Sequence, residues 1–165
     1  MALSFRSSEV AVELPRGITG FRHFRDPPLP DSDFRTFRGH CYAVARDLGG
    51  RVCSVEAPFW RGVGNFAFAV LDLPTGRVGV ALNAHFPVVG FAEPLDDSSC
   101  LLRFVDAPAL AERFRAFGMY EVAPAAELTR RLTSEMCQNL APAERDQVKH
   151  WRPGSVGELL FNSWD

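Results

Sequence analysis

The stretch Leu73-Pro74-Thr75-Gly76-Arg77 divides two apolar runs and constrains this chain more than any other feature. Pro74 presets φ for the first position of a turn, and Gly76 accepts the left-handed backbone that closes a three-residue hairpin loop. The chain therefore reverses here, and the offset of the reversal decides which side chains share a side of the ribbon. The expected register sets Leu73 opposite Arg77, Leu71 opposite Gly79, Ala69 opposite Ala81, Ala67 opposite Asn83 and Asn65 opposite His85. One face then holds Phe66, Phe68 and Val70 against Val78, Val80, Leu82 and Ala84, a bulky core surface. The other holds Asn65, Ala67, Ala69 and Leu71 against Gly79, Ala81, Asn83 and His85, and its small residues allow close approach of a helix, a ligand or another chain.

On this register the β-carbons of Asn65 and His85 lie roughly 4.5–5.5 Å apart, and Asn83 sits two residues along on the same face. The trio Asn65, Asn83 and His85 is the candidate ligand site: His85 transfers a proton or holds the ligand, and the two amides orient it. The same three side chains also read as a satisfied hydrogen-bond network beneath a packed helix.

The remaining pattern is that of an α+β domain. Residues 9–14 alternate apolar and polar and read as a short strand, followed by a Gly/Pro-rich surface passage. Phe34, Phe37, Cys41 and Val44 or Ala45 form one helical stripe, with a cap among Asp31, Ser32 and Asp33 and a stop at Gly49-Gly50. Strand patterns follow at 51–58, 63–73, 77–86, 88–93 and 100–106, joined by short Gly/Pro-marked links. Beyond Asp106, which can cap a helix, Leu110, Phe114 and Phe117 recur at helical spacing and Gly118 ends the run. Pro124 and Pro142 each open a further helix, the first holding Leu128 and Leu132 and the second reaching about His150. Ser155-Val156-Gly157-Glu158 has the form of a capping box before a last helix. The expected fold is a single domain over residues 1–165: a curved antiparallel sheet of about five strands, one helix before it and three to four after it.

Composition narrows the function classes. A formal charge of −2 gives no electrostatic reason to expect nucleic acid or an anionic membrane. No stretch reaches the ~18 apolar residues of a membrane span, and no signal-peptide pattern opens the chain, so a cytoplasmic setting is expected. Cys41, Cys53, Cys100 and Cys137 form no C-x-x-C pair and match no zinc spacing, so reduced, mostly buried thiols and no metal or cofactor are expected. Arginine supplies all basic residues except Lys149, which fits either anion recognition or a G/C-rich coding bias. The Phe-Arg pairs at 21–22, 24–25, 34–35 and 37–38 have a mixture that can stack on single-stranded nucleic acid, but Asp26, Asp31 and Asp33 dilute the charge and inward-packed phenylalanines are the expected explanation, with no nucleic-acid partner. His40-Cys41 is no nucleophile–base pair, because neighbours on a helix point about 100° apart. His85 with Asp96 and Asp97, or His40 with Cys41, could ligate a metal, yet none sits at i, i+3 or i, i+4. Trp60 and Arg61 are the candidate partner-binding residues, since Trp and Arg dominate hot spots.

The ending Trp151-Arg152-Pro153-Gly154-Ser155-Val156-Gly157-Glu158-Leu159-Leu160-Phe161-Asn162-Ser163-Trp164-Asp165 crowds large apolar residues into its last positions. Each is worth roughly 1.5–3 kcal/mol when buried, so the tail is expected in the core, as in a complete protein. Asn162 is placed to satisfy backbone groups there. The pattern W-x-P-x-x-V-G-E-x-x-F-N-x-W-D resembles the endings of small uncharacterised bacterial proteins, over about 15 residues, with no activity attached. The resulting expectation is a non-enzymatic protein-binding domain, of the bacterial immunity or accessory type, with another protein as its partner. The alternative is a small-molecule-binding protein or enzyme that uses Asn65, Asn83 and His85.

Overall fold

A computed structural model describes residues 3–5, 12–59, 64–95 and 101–164. Helix α1 (Phe34–Asp47) begins where Asp33 accepts hydrogen bonds from the Thr36 amide at 2.9 Å and the Thr36 hydroxyl at 2.6 Å. Such a cap contributes about 1 kcal/mol. The helix buries Phe37, Cys41, Val44 and Ala45, one stripe at the expected spacing. Gly49, at φ +74°, turns the chain out of it, and the amides of Gly49 and Gly50 satisfy the carbonyls of Arg46 and Ala45.

Five strands follow in the spatial order of the chain: β1 (Arg51–Glu56), β2 (Phe66–Leu73), β3 (Gly76–Asn83), β4 (Val88–Ala92) and β5 (Glu121–Val122). The first four are antiparallel neighbours, with an irregularity between Val52 and Ser54 in β1. The fifth differs from expectation. Residues 101–106 touch β4 through one isolated bridge, Phe104 to Ala92, and then leave to start a helix. The edge of β4 is taken instead by β5, which runs parallel to it. At the N-terminal side, Glu9 to Ala11 of the expected first strand lie outside the described residues. Residues 12–14 stay out of the sheet, and the Leu14 amide donates to the Met136 carbonyl.

The hairpin forms, but its register is one residue away from the expected one. Leu73 pairs with Gly76, Leu71 with Val78, Ala69 with Val80, Ala67 with Leu82 and Phe66 with Asn83. Gly76, at φ +126°, begins the returning strand, leaving Pro74 and Thr75 as the turn. A slip of one exchanges the faces of every partner residue. Packing explains the winner. The expected register stacks Phe68 on Leu82 and Val70 on Val80, overfilling one face and hollowing the other. The observed one sets Phe68 beside Ala81, Val70 beside Gly79, Ala67 beside Leu82 and Ala69 beside Val80. Large meets small in each pair, which fills both faces to interior density. The Phe68 ring lies over Gly79 so closely that a β-carbon there would collide with it.

Helices α2 (Pro108–Ala116), α3 (Ala125–Leu128), α4 (Pro142–Trp151) and α5 (Val156–Leu160) complete the fold. The chain thus has one helix before the sheet and several after it, an α+β architecture with an unclosed sheet. Asp106 does not cap α2, whose N-cap is Ala107; its carboxylate accepts from the Ala125 amide and caps α3 instead. Leu132 lies beyond α3, whose last residue is Leu128. Ser155 caps α5 by accepting from the Glu158 amide at 3.2 Å. Two cores flank the sheet. One joins α1 and α2 to Ala67, Ala69, Leu71, Val78, Val80, Leu82 and Phe91. The other joins Phe66, Phe68, Ala81 and Ala92 to Leu14, Ile18, Leu128 and the α5 residues Leu159 and Leu160. Among the described residues no helix is long and apolar enough to cross a membrane.

Candidate functional site

The second core encloses a turn at residues 15–20. Gly17 at φ +93° and Gly20 at φ +84° let it close, through bonds from Ile18 to Pro15 and from Gly20 to Gly17. The turn leaves backbone polar groups facing the interior, and each needs a partner there. Glu144 on α4, fully buried, accepts from the Gly17 amide at 2.9 Å, the Thr19 amide at 3.0 Å and the Thr19 hydroxyl at 2.7 Å. The same carboxylate accepts from the Ala141 amide at 2.8 Å, satisfying a free donor at the start of its own helix.

Three asparagines complete the network. Asn65 donates to the carbonyls of Ile18 and Thr19 at 3.2 and 3.1 Å and accepts from the Asn162 amide at 2.9 Å. Asn83 donates to Ile18 at 3.0 Å and Leu160 at 2.7 Å, and accepts from the amides of His85 at 2.9 Å and Phe86 at 3.1 Å. Asn162 donates to Thr19 and Leu159, both at 3.0 Å. Asn65 and Asn83 meet at the Ile18 carbonyl, whereas the expected cross-strand pairing of Asn65 with His85 does not form. Asn65 lies opposite Ala84, whose amide donates to its carbonyl. Both amide N–H bonds of each asparagine are spent on backbone carbonyls.

The His85 backbone amide is bonded to Asn83, but its imidazole turns to other partners. Its Nδ1 donates to the Pro30 carbonyl at 2.8 Å and lies 3.6 Å from the Asp31 carboxylate. Its Nε2 faces Gly20, and the Phe59 ring lies 6.3 Å from the imidazole. Trp60 and Arg61 lie outside the described residues, as do Asp96, Asp97 and Cys100.

His40 and Cys41 diverge as helical neighbours must. His40 stacks on Phe117 at 3.7 Å, and its Nδ1 meets the Tyr120 hydroxyl at 2.6 Å. Burial lowers the His40 pKa, against a smaller opposing pull from Asp33. Burial pushes the Cys41 thiol up to about 12 and raises the Tyr120 phenol, so both keep their protons at neutral pH. Cys41 is therefore a packed hydrophobe rather than a nucleophile. Among the described residues, no group of three His, Cys, Asp or Glu side chains is placed to hold a metal ion.

Over the buried network lies a surface rich in aromatic and basic side chains. Phe21 lies 6.0 Å from Trp164, which stacks parallel to Trp151 at 6.5 Å and 2°. Trp151 is 40% exposed and Phe24 78% exposed, with the Arg25 guanidinium over the Phe24 ring at 5.2 Å. Residues 16–26 and 142–152 together carry six basic and three acidic side chains, a net +3 in a chain of net −2. One of those three acids is the buried Glu144. The Phe-Arg pairs divide accordingly: Phe34 and Phe37 pack under α1, whereas Phe21 and Phe24 belong to this surface.

The sequence reading missed Thr19 and Glu144. The one local signal was Ala141-Pro142-Ala143-Glu144, a proline-opened helix with Glu at its third position. No family model, curated protein or solved structure matches the chain.

Proposed function

We propose that this protein is a non-enzymatic binding domain, of the bacterial immunity or accessory type, that docks an acidic protein partner on the surface formed by residues 16–26, α4 and Trp164. The observation that carries the reading is the parallel Trp151–Trp164 stack, half open to solvent, in a protein whose segments 16–26 and 142–152 carry Arg16, Arg22, Arg25, Lys149 and Arg152. Trp and Arg dominate interface hot spots, and a rigid backing lowers the ordering cost of binding. The buried Glu144 and asparagine network supplies that backing, since it fixes the backbone from which Phe21 projects. Protein is favoured over nucleic acid because the two indoles stack on each other rather than standing open for bases. The bacterial setting rests on the C-terminal resemblance. A cytoplasmic one accords with the unpaired Cys41, Cys53 and Cys137.

The test is affinity capture from extract of the source cells, followed by titration of the purified captured protein against wild type and Trp151→Ala. The expected partner is acidic, binds more weakly as salt rises, and loses at least about 30-fold in affinity to the variant. Equal binding by Trp151→Ala refutes the face. Tight binding of a single-stranded oligothymidine by the wild type, lost on replacing Arg22 and Arg25 with Glu, replaces the reading with nucleic-acid recognition.

A further inference from the structure

Strand β1 is an open edge of the sheet. It pairs with β2 on one side, and among the described residues no strand lies on the other. None of its residues is buried, whereas β4 is buried throughout. An edge strand presents unpaired N–H and C=O groups, on which another extended chain can pair. The irregularity between Val52 and Ser54 blunts the first part of this edge and leaves residues 54–56 in regular pairing with β2. Val52 and Val55 both pack against the core beneath α1, so the apolar side chains of the strand are spent and its backbone is what stays open.

Helix α1 sets the charge beside that edge. It is seated over β1 and β2. One flank turns toward α2 and β5, where Asp47 meets Arg113 at 3.2 Å and His40 meets Tyr120. The opposite flank therefore faces the β1 side, and Arg35, Arg38, Tyr42 and Arg46 recur along it at helical spacing, all exposed. The Arg38 guanidinium lies over the Tyr42 ring at 6.0 Å. Arg16, Arg51, Arg103, Arg113 and Arg130 are each paired with a carboxylate, but among the described residues Arg35, Arg38 and Arg46 are in no ion pair. Of the nearby acids, Asp33 accepts from Thr36 at the start of the helix and Asp47 is turned to the other flank, which leaves Glu56 at the end of the strand. A free main-chain edge beside a row of uncommitted guanidiniums is complementary to an extended chain that carries carboxylates.

We propose that β1 and the Arg35, Arg38, Tyr42 and Arg46 flank of α1 together bind a short acidic segment of a partner protein, which adds a sixth strand to the sheet. Main-chain bonds to residues 54–56 hold the segment, and the arginines select its charge. A second copy of this chain is the poorer occupant on two grounds. It would bring its own arginine row against this one, and the blunted edge leaves two whole sheets little regular backbone to share. The site lies on the α1 side of the sheet, apart from the Trp151–Trp164 surface, so either proposal can fail without the other.

The experiment uses the full chain and blocked peptides in which glutamate alternates with valine, with a lysine and valine counterpart as control. Two further versions of the acidic peptide carry N-methyl groups on one or the other alternate set of amides. Binding is read from the backbone amide signals of Ser54, Val55 and Glu56 in NMR titrations. The acidic peptide should move these signals with a Kd on the order of 1 mM or tighter, and more weakly as salt rises. The lysine peptide should leave them in place. Methylation of one set of amides should weaken binding at least about tenfold and methylation of the other by less than about threefold, because a strand pairs through one edge at a time. Arg38→Glu with Arg46→Glu should also weaken it at least about tenfold. Both side chains are exposed, and an unchanged amide spectrum away from α1 and β1 reports that this variant is folded. Unmoved signals at about 5 mM acidic peptide, equal binding of the acidic and lysine peptides, or equal binding of the two methylated versions each overturns the proposal. Self-association of the free protein that perturbs the same three amides overturns it too, by making a second copy the occupant.

Discussion

The two sides of the sheet solve the same burial problem in different ways. Beneath α1 and α2 the interior is hydrocarbon, aromatic and thiol: Phe37, Cys41, Val44, Val80, Leu82, Phe91 and Phe114 meet over Ala67 and Ala69. On the other side lie Thr19, Asn65, Asn83, Glu144 and Asn162, which are all the fully buried polar residues among those described. The first side gains stability from area, which is tolerant of chemically similar substitutions. The second spends burial on holding an irregular turn, where each bond has one geometry and a lost partner leaves another group stranded. One side builds the fold, and the other fixes the shape of a loop that carries the exposed aromatic surface.

Paired substitutions at Glu144 and Phe37 break this comparison most sharply. Glu144→Ala strands four donors, and we expect it to cost about 3–5 kcal/mol in denaturant unfolding. Phe37→Ala should cost a similar ~3–5 kcal/mol by opening a cavity. The two should separate in limited trypsin digestion under native conditions. Cleavage at Arg16 and Arg22 should accelerate in Glu144→Ala and stay near wild-type rates in Phe37→Ala. Equal acceleration in both would mean the polar side has no special hold on the turn.

A smaller effect tests the register. Gly79→Ala drives a methyl into the Phe68 ring and should destabilise by about 1–3 kcal/mol. Adding Phe68→Leu should recover a measurable part of that loss in a double-mutant cycle. In the alternative register Gly79 and Phe68 face opposite ways, and no coupling would be found.

On the hydrocarbon side His40 is the sensitive group. Burial lowers its folded-state pKa below the ordinary 6.5, so the unfolded chain takes up a proton first as pH falls. The neutral ring's contribution is therefore complete above pH 6.5, and is lost as pH drops from there towards the lowered value. His40→Phe should flatten the pH dependence of the denaturation midpoint in that window; an unchanged slope would remove His40 from the titration. The mildest test is thiol labelling. The exposed Cys53 should react readily with a disulfide reagent, and Cys41, buried and with its thiol pushed up to about 12, should react only on unfolding.

What was legible in the sequence was what is encoded locally. Asp33, the Phe37-Cys41-Val44 stripe and Gly49 lie within one helix length, and the expected helix matches α1 closely. The apolar ending is read equally directly: Leu159, Leu160 and Phe161 are buried. The register was not legible, because Gly76 serves either inside a loop or at the first strand position, and only packing across the sheet chooses between them. Strand β5 is two residues long, too short for any periodicity to announce it. At the site, Asn65 and Asn83 were found through an incorrect pairing, whereas Thr19 and Glu144 escaped notice. Their contact spans 125 positions and has no pattern in the chain between.

The bonds between Asn65 and Asn162 have a consequence for biosynthesis. A chain made from its amino end has its hairpin and first helix available early, since their contacts are near in sequence. The carbonyl of Thr19, by contrast, waits with an incomplete set of partners until residue 162 has been added. During translation the hydrocarbon side can assemble while the turn stays open, so the aromatic surface it supports is finished last. A nascent molecule therefore cannot present that surface in its final form until almost all of the described length has emerged.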